Sequence, residues 1–414
     1  MTGLRKFINA VNICCLTYVT KMQTPLLLLR EVQEYIRLHQ AEDTRLLALR
    51  RSPFPGLPMS SVAEQIAGFQ KARQKLPAWC GTAGTLFPKP LALEQCSSEA
   101  TARFKASCMQ GSSFADLTSG FGVDAYFMSD RFDTGISVEI DQDLIELQRH
   151  NHYLLGCRNL TYVHQSAAEF LKNSEREFDW IYIDPSRRIE SKRRFRFEDC
   201  KPDVVSLLPA LFRLAPNVLI KASPLLDITA GIAALRGVRK VIAVELGGEC
   251  RELLFLLERS YSGEVEIEAS VLDTGYSLRF SKSEEAIAPI VYSDPSDFLY
   301  LPSAALQKAG AFRLLADRFA LGKLAPNTHV YTSADKVNGF PGRTFRVLAK
   351  VKPDPSAVKQ YFPGGRALAV SRNHPLAAEQ LLKKCKLKPG GTRYLIALRG
   401  CRKNFLMVAE HLPT

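Results

Sequence analysis

The sequence predicts an α/β protein, with a Rossmann-like, mainly parallel, doubly wound sheet between a helical N-terminal region and a C-terminal α+β module. Three observations predict this. Short apolar strands alternate with amphipathic helices between roughly residues 110 and 275, residues 25 to 82 show helical spacing alone, and the alternation ends near residue 276 in a strongly basic tail. At 414 residues the chain has the length of two or three domains, and hydrophobic residues at 46% suffice to build their cores.

In LLLLREVQEYIRLH and VAEQIAGFQKARQKL apolar residues recur every three and four positions, and the Pro-rich RRSPFPGLPMSS connects these two helices. The apolar INAVNICCLTYV before them is too short, and too interrupted by asparagine, to span a bilayer, and no small-residue cleavage site follows it. Met22 offers an alternative start, so residues 1–21 read either as a poorly ordered extension or as preceding the true start. After the linker TLFPKPLALEQ, SSEATARFKAS supplies a serine N-cap and a helix. Then come the strands SFADLTSGFG, TGISVEID, LTYVHQS, FDWIYIDPS, NVLIKASP and VRKVIAVEL, separated by helices such as QDLIELQRHNHYLL and DVVSLLPALFRL. A sheet of this kind takes its ligands beyond the carboxyl ends of its strands.

Ten cysteines are scattered without a CxxC pair or a Cys/His metal spacing, which points to a reducing cytoplasm. No phosphate-binding GxxxxGK[ST] and no HExxH is present, and His150 and His152 stand two apart on a helix, so no metal is expected. Residues 301 to 414 hold 20 Lys and Arg against 5 Asp and Glu, whereas residues 1 to 300 hold 35 against 37. The whole excess of the +13 formal charge therefore sits in the last quarter, as in a polyanion-binding module joined to a neutral body.

The first strand carries Asp116 and then Gly120 and Gly122, and nineteen residues past Gly120 the second strand ends at Glu139. Glycines there let the backbone turn tightly and approach a ligand, while an acid at the second strand end accepts ribose hydroxyls. GFGVDA also fits the dinucleotide fingerprint. Asp116 argues against that reading, because a carboxylate suits an amino group better than a pyrophosphate.

DLTSGFGVDA, VEID and FDWIYIDPSR, in that order, resemble the first, second and fourth motifs of class I S-adenosylmethionine-dependent methyltransferases, over about residues 95 to 275. The resemblance implies S-adenosylmethionine as cofactor, with Asp116, Gly120 and Gly122 at its methionine part, Glu139 at the ribose and Ser166 and Ala167 near the adenine. Thr118, Asp124 and Ile140 complete the implied set. It also implies that Asp184 and Pro185 stand where nucleic-acid amino methyltransferases carry Asp/Asn-Pro-Pro-aromatic, with Ser186 and Arg187 departing from that pattern. A carboxylate and a proline carbonyl there accept the two N–H bonds of an exocyclic amine. The covalent route of uridine C5 methyltransferases needs a cysteine, and neither the Asp184 loop nor KASPLLD supplies one.

The basic run Arg187, Arg188, Lys192, Arg193, Arg194 and Arg196, interleaved with Phe195 and Phe197, is placed to meet substrate phosphates. From residue 276 onward the chain resembles the ferredoxin-like unit and the THUMP-like module of a bacterial family. This implies domains at 1–94 (helical), 95–275 (methyltransferase), 276–320 (ferredoxin-like) and 321–414 (THUMP-like, read as strands, a helix and a KPGG turn). It also implies a structured RNA partner, tRNA or rRNA, held through Lys383, Lys384, Lys386 and Lys388 with Arg366, Arg372, Arg393 and Arg399. The fragments LFPKPLALEQ and CSSEATARFKA are similar to that family too. A methyltransferase acting on a base nitrogen of RNA is thus expected; the alternatives are a non-catalytic RNA-binding protein with this fold and a methyltransferase for a protein or small molecule.

Overall fold

The computed structural model describes residues 24–187 and 196–413. The chain forms two compact units, the first running to Lys221 and including Glu258–Ser260, the second formed by Ala222–Leu257 and the chain from Tyr261. Among the described residues no helix is long and apolar enough to cross a membrane.

The first unit opens with helices α1 (Arg30–Leu38), α2 (Met59–Ala72) and α3 (Glu99–Ser107). The predicted serine cap is present: Ser98 Oγ accepts the Thr101 N–H at 3.2 Å. TLFPKPLALEQ, expected as a linker, contains a short helix over Pro90–Gln95, and the stretch before that helix is held by side-chain amides that pair with its backbone. Gln65 exchanges two hydrogen bonds with Phe87, at 3.1 and 2.8 Å, and Asn151 does the same with Leu86, at 2.8 and 2.9 Å.

The strands β1 (Ser113–Asp116), β2 (Thr134–Glu139), β3 (Leu160–His164), β4 (Trp180–Ile183) and β7 (Asn217–Ala222) follow where the apolar runs predict them, and a short pair, β5 (Ser186–Arg187) and β6 (Cys200–Lys201), was not expected. Helices α4 (Val123–Ser129), α5 (Gln142–Leu154), α6 (Ala167–Asn173) and α7 (Val204–Leu214) lie between them in sequence. Within this unit the order is β7-β4-β1-β2-β3, with every adjacent pair parallel. The chain leaves β1 toward β2 and β3 and then returns to β4 on the other side of β1. Such a reversal opens a crevice at the carboxyl ends of β1 and β4.

The second unit contains β8 (Val238–Leu246), β9 (Glu249–Glu258), β10 (Glu266–Val271) and β11 (Tyr276–Ser281), where β10 runs parallel to β8 and the β8/β9 and β10/β11 pairs are antiparallel. The hairpin partner β9 was not expected. Glu249 and Arg251 at its start form an exposed ion pair at 2.8 Å. A second sheet follows, from β12 (Phe298–Pro302), β13 (Gly322–Ala325), β14 (Thr328–Ser333), β15 (Gly342–Lys350), β16 (Arg366–Arg372), β17 (Lys388–Arg399) and β18 (Asn404–Leu412), in the order β13-β14-β12-β15-β18-β17-β16. Helix α8 (Ala304–Ala309) follows β12, and α9 (Ala378–Lys384) connects the parallel strands β16 and β17. KPGG is not a turn between elements. It begins β17, and its glycines at φ +119° and +87° absorb a register shift against β16.

One buried and two half-buried histidines link this architecture to pH. His152 is fully buried between Gly122 O and the Tyr162 hydroxyl, both at 3.0 Å, and burial lowers its pKa to about 4; burial also lowers His150, and lowers His329 of the second unit to about 4. The unfolded chain therefore binds protons that the folded chain refuses. Stability should be fully present above pH about 6.5 and fall as pH drops toward about 4, by up to about 1.4 kcal/mol per unit for each histidine. Urea unfolding across this range should show the decline, and His152→Gln should flatten it.

Candidate functional site

The crevice at the end of β1 and β4 is a cleft of about 700 Å³. Its rim brings together Thr118, Gly120, Asp124, Glu139, Ile140, Ser166, Ala167, Asp184 and Ser186, residues far apart in sequence that sequence analysis had grouped. Pro185 is buried beside Asp184 in the same loop.

The glycine turn is rigidly placed. Gly120 has φ +55° and no atom within 4 Å of where a side chain would start, so its missing Cβ leaves space open. At Gly122, φ +84°, an added Cβ would strike Gln148 Cγ at 2.6 Å and His152 Cε1 at 2.8 Å. Those two α5 residues hold the turn from beneath: Gln148 Nε2 donates to Ser119 Oγ at 2.9 Å and to Gly120 O at 2.7 Å, while its Oε1 accepts from Ser137 Oγ at 2.6 Å. Glu139 is fixed by three backbone donors, with Oε2 accepting from Gly120 N at 2.7 Å and Oε1 from Ile140 N and Asp141 N at 2.9 and 3.0 Å. Ser166 caps α6 in a capping box with Glu169.

Asp124, Glu139 and Asp184 line the cleft, whereas the predicted Asp116 and Gly122 do not reach its surface and lie behind it. Asp116 is completely buried; its Oδ1 accepts the Thr118 N–H at 3.0 Å and its Oδ2 has no partner. Burial pushes its carboxyl well above the usual range, opposed by the Thr118 N–H and reinforced by the neighbouring Asp124, Asp184 and Glu139 carboxylates. Burial would raise Asp124 as well. There Lys105 and Lys221, with the Ser97 and Tyr182 hydroxyls, outweigh it and hold that carboxyl below the usual range. Lys105 Nζ lies 3.3 Å from Asp124 Oδ1 and donates to Ser97 Oγ at 3.0 Å, and Ser97 Oγ and Tyr182 OH donate to Asp124 Oδ2 at 2.8 and 2.9 Å.

Lys221, at the end of β7, forms an ion pair with Asp184, whose backbone N–H donates to Thr118 Oγ1 at 2.7 Å. Ser186 pairs with Lys201 across β5 and β6, and its hydroxyl donates to Lys201 O at 3.2 Å, closing the loop that Asp184 opens. Sequence reasoning missed Lys221, Lys105, Ser97 and Tyr182. Two of these lie in CSSEATARFKA, and the structure gives that fragment its role.

Other assignments fall elsewhere. The Arg187 side chain and Arg188, Lys192, Arg193 and Arg194 lie outside the described residues. Lys383, Lys384, Lys386 and Lys388 are exposed on and after α9 of the second unit. Cys200 is buried and its thiol raised chiefly by burial, and Cys96, which lines the cleft, is raised to about 11 for the same reason. Neither is a thiolate near neutral pH, so neither is primed for covalent catalysis. Among the described residues no group of three or more His, Cys, Asp or Glu is disposed to hold a metal.

This geometry agrees with what the chain resembles. Residues 298–341 match a family described as a ferredoxin-like domain, and residues 342–411 match one described as THUMP domain-like. A crystal structure of a protein assigned to the methyltransferases, from Porphyromonas gingivalis, superposes with a TM-score of 0.82 at 29% identity, covering 92% of this chain and 98% of that one. The chain is a class I methyltransferase with a C-terminal THUMP-like domain. Two Mycobacterium tuberculosis proteins, each named an uncharacterized S-adenosylmethionine-dependent methyltransferase, are 26% identical over 343 residues, 80% of this chain and 87% of theirs.

The methyl donor of the methyltransferase is S-adenosylmethionine, and the residues present fit it. The unpartnered, buried Asp116 Oδ2 calls for a cationic donor, and Gly120 leaves room where a Cβ would stand. A pyrophosphate in place of that cation would meet four carboxylates, those of Asp116, Asp124, Glu139 and Asp184.

The buried Lys105 makes a sharp stability test. Lys105→Met would leave Asp124 without its nearest cation in a dry site, and chemical denaturation should show a loss of about 3–5 kcal/mol. Pairing it with Asp124→Asn should restore much of that loss.

Proposed function

We propose that this methyltransferase modifies structured RNA, a tRNA or an rRNA, at a base nitrogen. The observation that carries the reading is the arrangement at the cleft: an orphaned carboxylate oxygen buried behind its surface at Asp116, and on its lining a second carboxylate, Asp184, paired with Lys221 and with its backbone N–H held by Thr118. S-adenosylmethionine supplies a methyl group already activated on a sulfonium, so the protein's part is binding, orientation and the handling of one proton.

Asp116 holds the donor's amino group, Glu139 and Ile140 its ribose, and Ser166 and Ala167 its adenine edge, with Thr118, Gly120, Gly122 and Asp124 shaping the floor. Asp184 orients the acceptor. With Lys221 on its Oδ2, its Oδ1 remains to accept an N–H from an exocyclic amine, and the Pro185 carbonyl accepts the other, turning the nitrogen lone pair toward the methyl group. Ser186 ties the loop to Lys201, which explains why a serine can replace the second proline of the amino-methyltransferase pattern. Arg187, Arg188, Lys192, Arg193 and Arg194 flank this loop in sequence and meet the substrate's phosphates. The RNA reading is supported by the THUMP-like domain and by the tail's 20 basic against 5 acidic residues.

Calorimetric titration separates the roles. Wild-type protein should bind S-adenosylhomocysteine in the micromolar range and Asp116→Ala should lose that binding, while Asp184→Ala should keep it and lose methyl transfer to RNA by about 100-fold or more. Retained turnover in Asp184→Ala would remove that residue from the reaction, and a methylated protein in place of methylated RNA would overturn the substrate.

Removing the tail outright would cut through the second unit, so its role in holding RNA is better tested in the full chain. Replacing Lys383, Lys384, Lys386 and Lys388 by Gln should weaken RNA binding and flatten the plot of log K against log salt by about 0.7–0.9 for each phosphate that is no longer neutralised. An unchanged slope would show that α9 does not face RNA.

A further inference from the structure

The second unit contains a cleft of about 800 Å³ that the methyl-transfer reading leaves unused. Two arginines line it, Arg343 at the start of β15 and Arg372 at the end of β16, and both also line an adjoining depression of about 560 Å³. Neither guanidinium has an acid partner among the described residues: Arg372 Nη1 donates only to Ser371 O at 3.3 Å, and Arg343 lies 5.6 Å from the Phe345 ring centroid. Partial burial, with Arg343 beside it, lowers the pKa of Arg372. Arg343 is exposed and Arg372 half-buried, so without an acid between them the two give the concave surface a local positive charge that an anion would answer.

The cleft does contain acids, and they are turned to other partners. Glu245 is buried and its Oε2 accepts the Ala305 N–H at 2.7 Å, while Asp273 Oδ2 accepts the Gly247 N–H at 2.6 Å. A third polar group is unsatisfied: the hydroxyl of Tyr276, which lines the same cleft, is buried without a hydrogen-bond partner. Between these groups the walls are apolar, contributed by Val271, Leu301, Pro302 and Pro341. The ligand that suits them has a multiply charged anionic end, an apolar or planar body, and hydroxyl or amino donors for the remaining carboxylate oxygens.

We propose that this cleft binds a phosphate-bearing nucleotide, its phosphate on Arg343 and Arg372 and its body against the apolar walls with Tyr276 and Glu245 in reach of its polar groups. Paired guanidiniums match phosphate oxygens better than a single carboxylate, and a volume of about 800 Å³ lies within the usual range for small-ligand pockets. The same chemistry is presented by a free nucleotide and by one nucleotide of an RNA strand. The proposal does not depend on RNA being the methyl acceptor.

The test is calorimetric titration of the full-length protein with S-adenosylhomocysteine saturating, so that the methyl-transfer cleft is filled. The probes are the four nucleoside 5′-monophosphates, the matching nucleosides, inorganic phosphate and 5′-phosphorylated trinucleotides. At least one phosphate-bearing nucleotide should bind at least about 10-fold more tightly than its nucleoside and than phosphate alone. Arg343→Gln with Arg372→Gln should weaken it by about 10-fold or more, and Tyr276→Phe, which removes one oxygen without altering packing, by about 5-fold. Tighter binding of a trinucleotide identifies an RNA strand as the source, and equal or tighter binding of a mononucleotide identifies a free nucleotide. No binding by any phosphate-bearing probe would overturn the proposal, as would nucleoside or phosphate binding equal to nucleotide binding, or undiminished binding by a double variant with an unchanged melting temperature. Asp184→Ala should leave nucleotide binding intact, so failure of the RNA-acceptor reading and failure of this one are separable.

Discussion

The first unit depends on one buried carboxylate. Asp124 stands at the start of α4, directly after the glycine turn, and its oxygens gather Lys105 from α3, Ser97 from the segment before it and Tyr182 from β4. These contacts join the helical N-terminal region to the sheet at the point where the chain must bend sharply. Because the Lys105 side chain is completely buried, the pair cannot be relieved by water, and each charge needs the other. The helical region is therefore part of the wall of the cleft, and Trp79 reinforces this by packing against Phe121, Tyr126, Phe127 and His152.

The balance of charge in the cleft follows from that network. Asp116, Asp124, Glu139 and Asp184 converge, while the lysines that answer them are committed: Lys105 to Asp124, and Lys221 to Asp184 and, at longer range, to Asp124. Glu139 is satisfied by backbone N–H groups, which leaves Asp116 as the acid without compensation. A cationic ligand relieves this deficit and an anionic one deepens it. Physical chemistry thus separates two cofactors that the glycine pattern alone leaves in competition.

What could be read from the sequence was what depends on neighbours in the chain. The strands β1, β2 and β4 appear where apolar runs lead into Asp116, Glu139 and Asp184, Ser98 caps the helix it precedes, and the glycine turn has the positive φ angles that only glycine adopts freely. What could not be read depends on contacts across the fold. Lys105 and Lys221 look like ordinary helix and strand residues until the sheet sets them beside Asp124 and Asp184. KPGG reads as a turn because its residues favour one, yet pairing with β16 draws it into a strand. β9 escaped notice because its central LLFLL is uniformly apolar, and a buried run of this kind carries no period to distinguish strand from helix.

Two surfaces of the second unit, the open face of α9 and the cleft of Arg343 and Arg372, would set different recognition problems. On the proposed reading, the exposed lysines on and after α9 would act on phosphates at long range, giving affinity and fast encounter but no sequence information, and salt would weaken them. A half-buried arginine that shares its site with a second guanidinium and an unsatisfied tyrosine hydroxyl acts only on a group that enters and fits. If both proposals hold, selection among polyanions would belong with the cleft of Arg343 and Arg372, and capture of them with the open basic face.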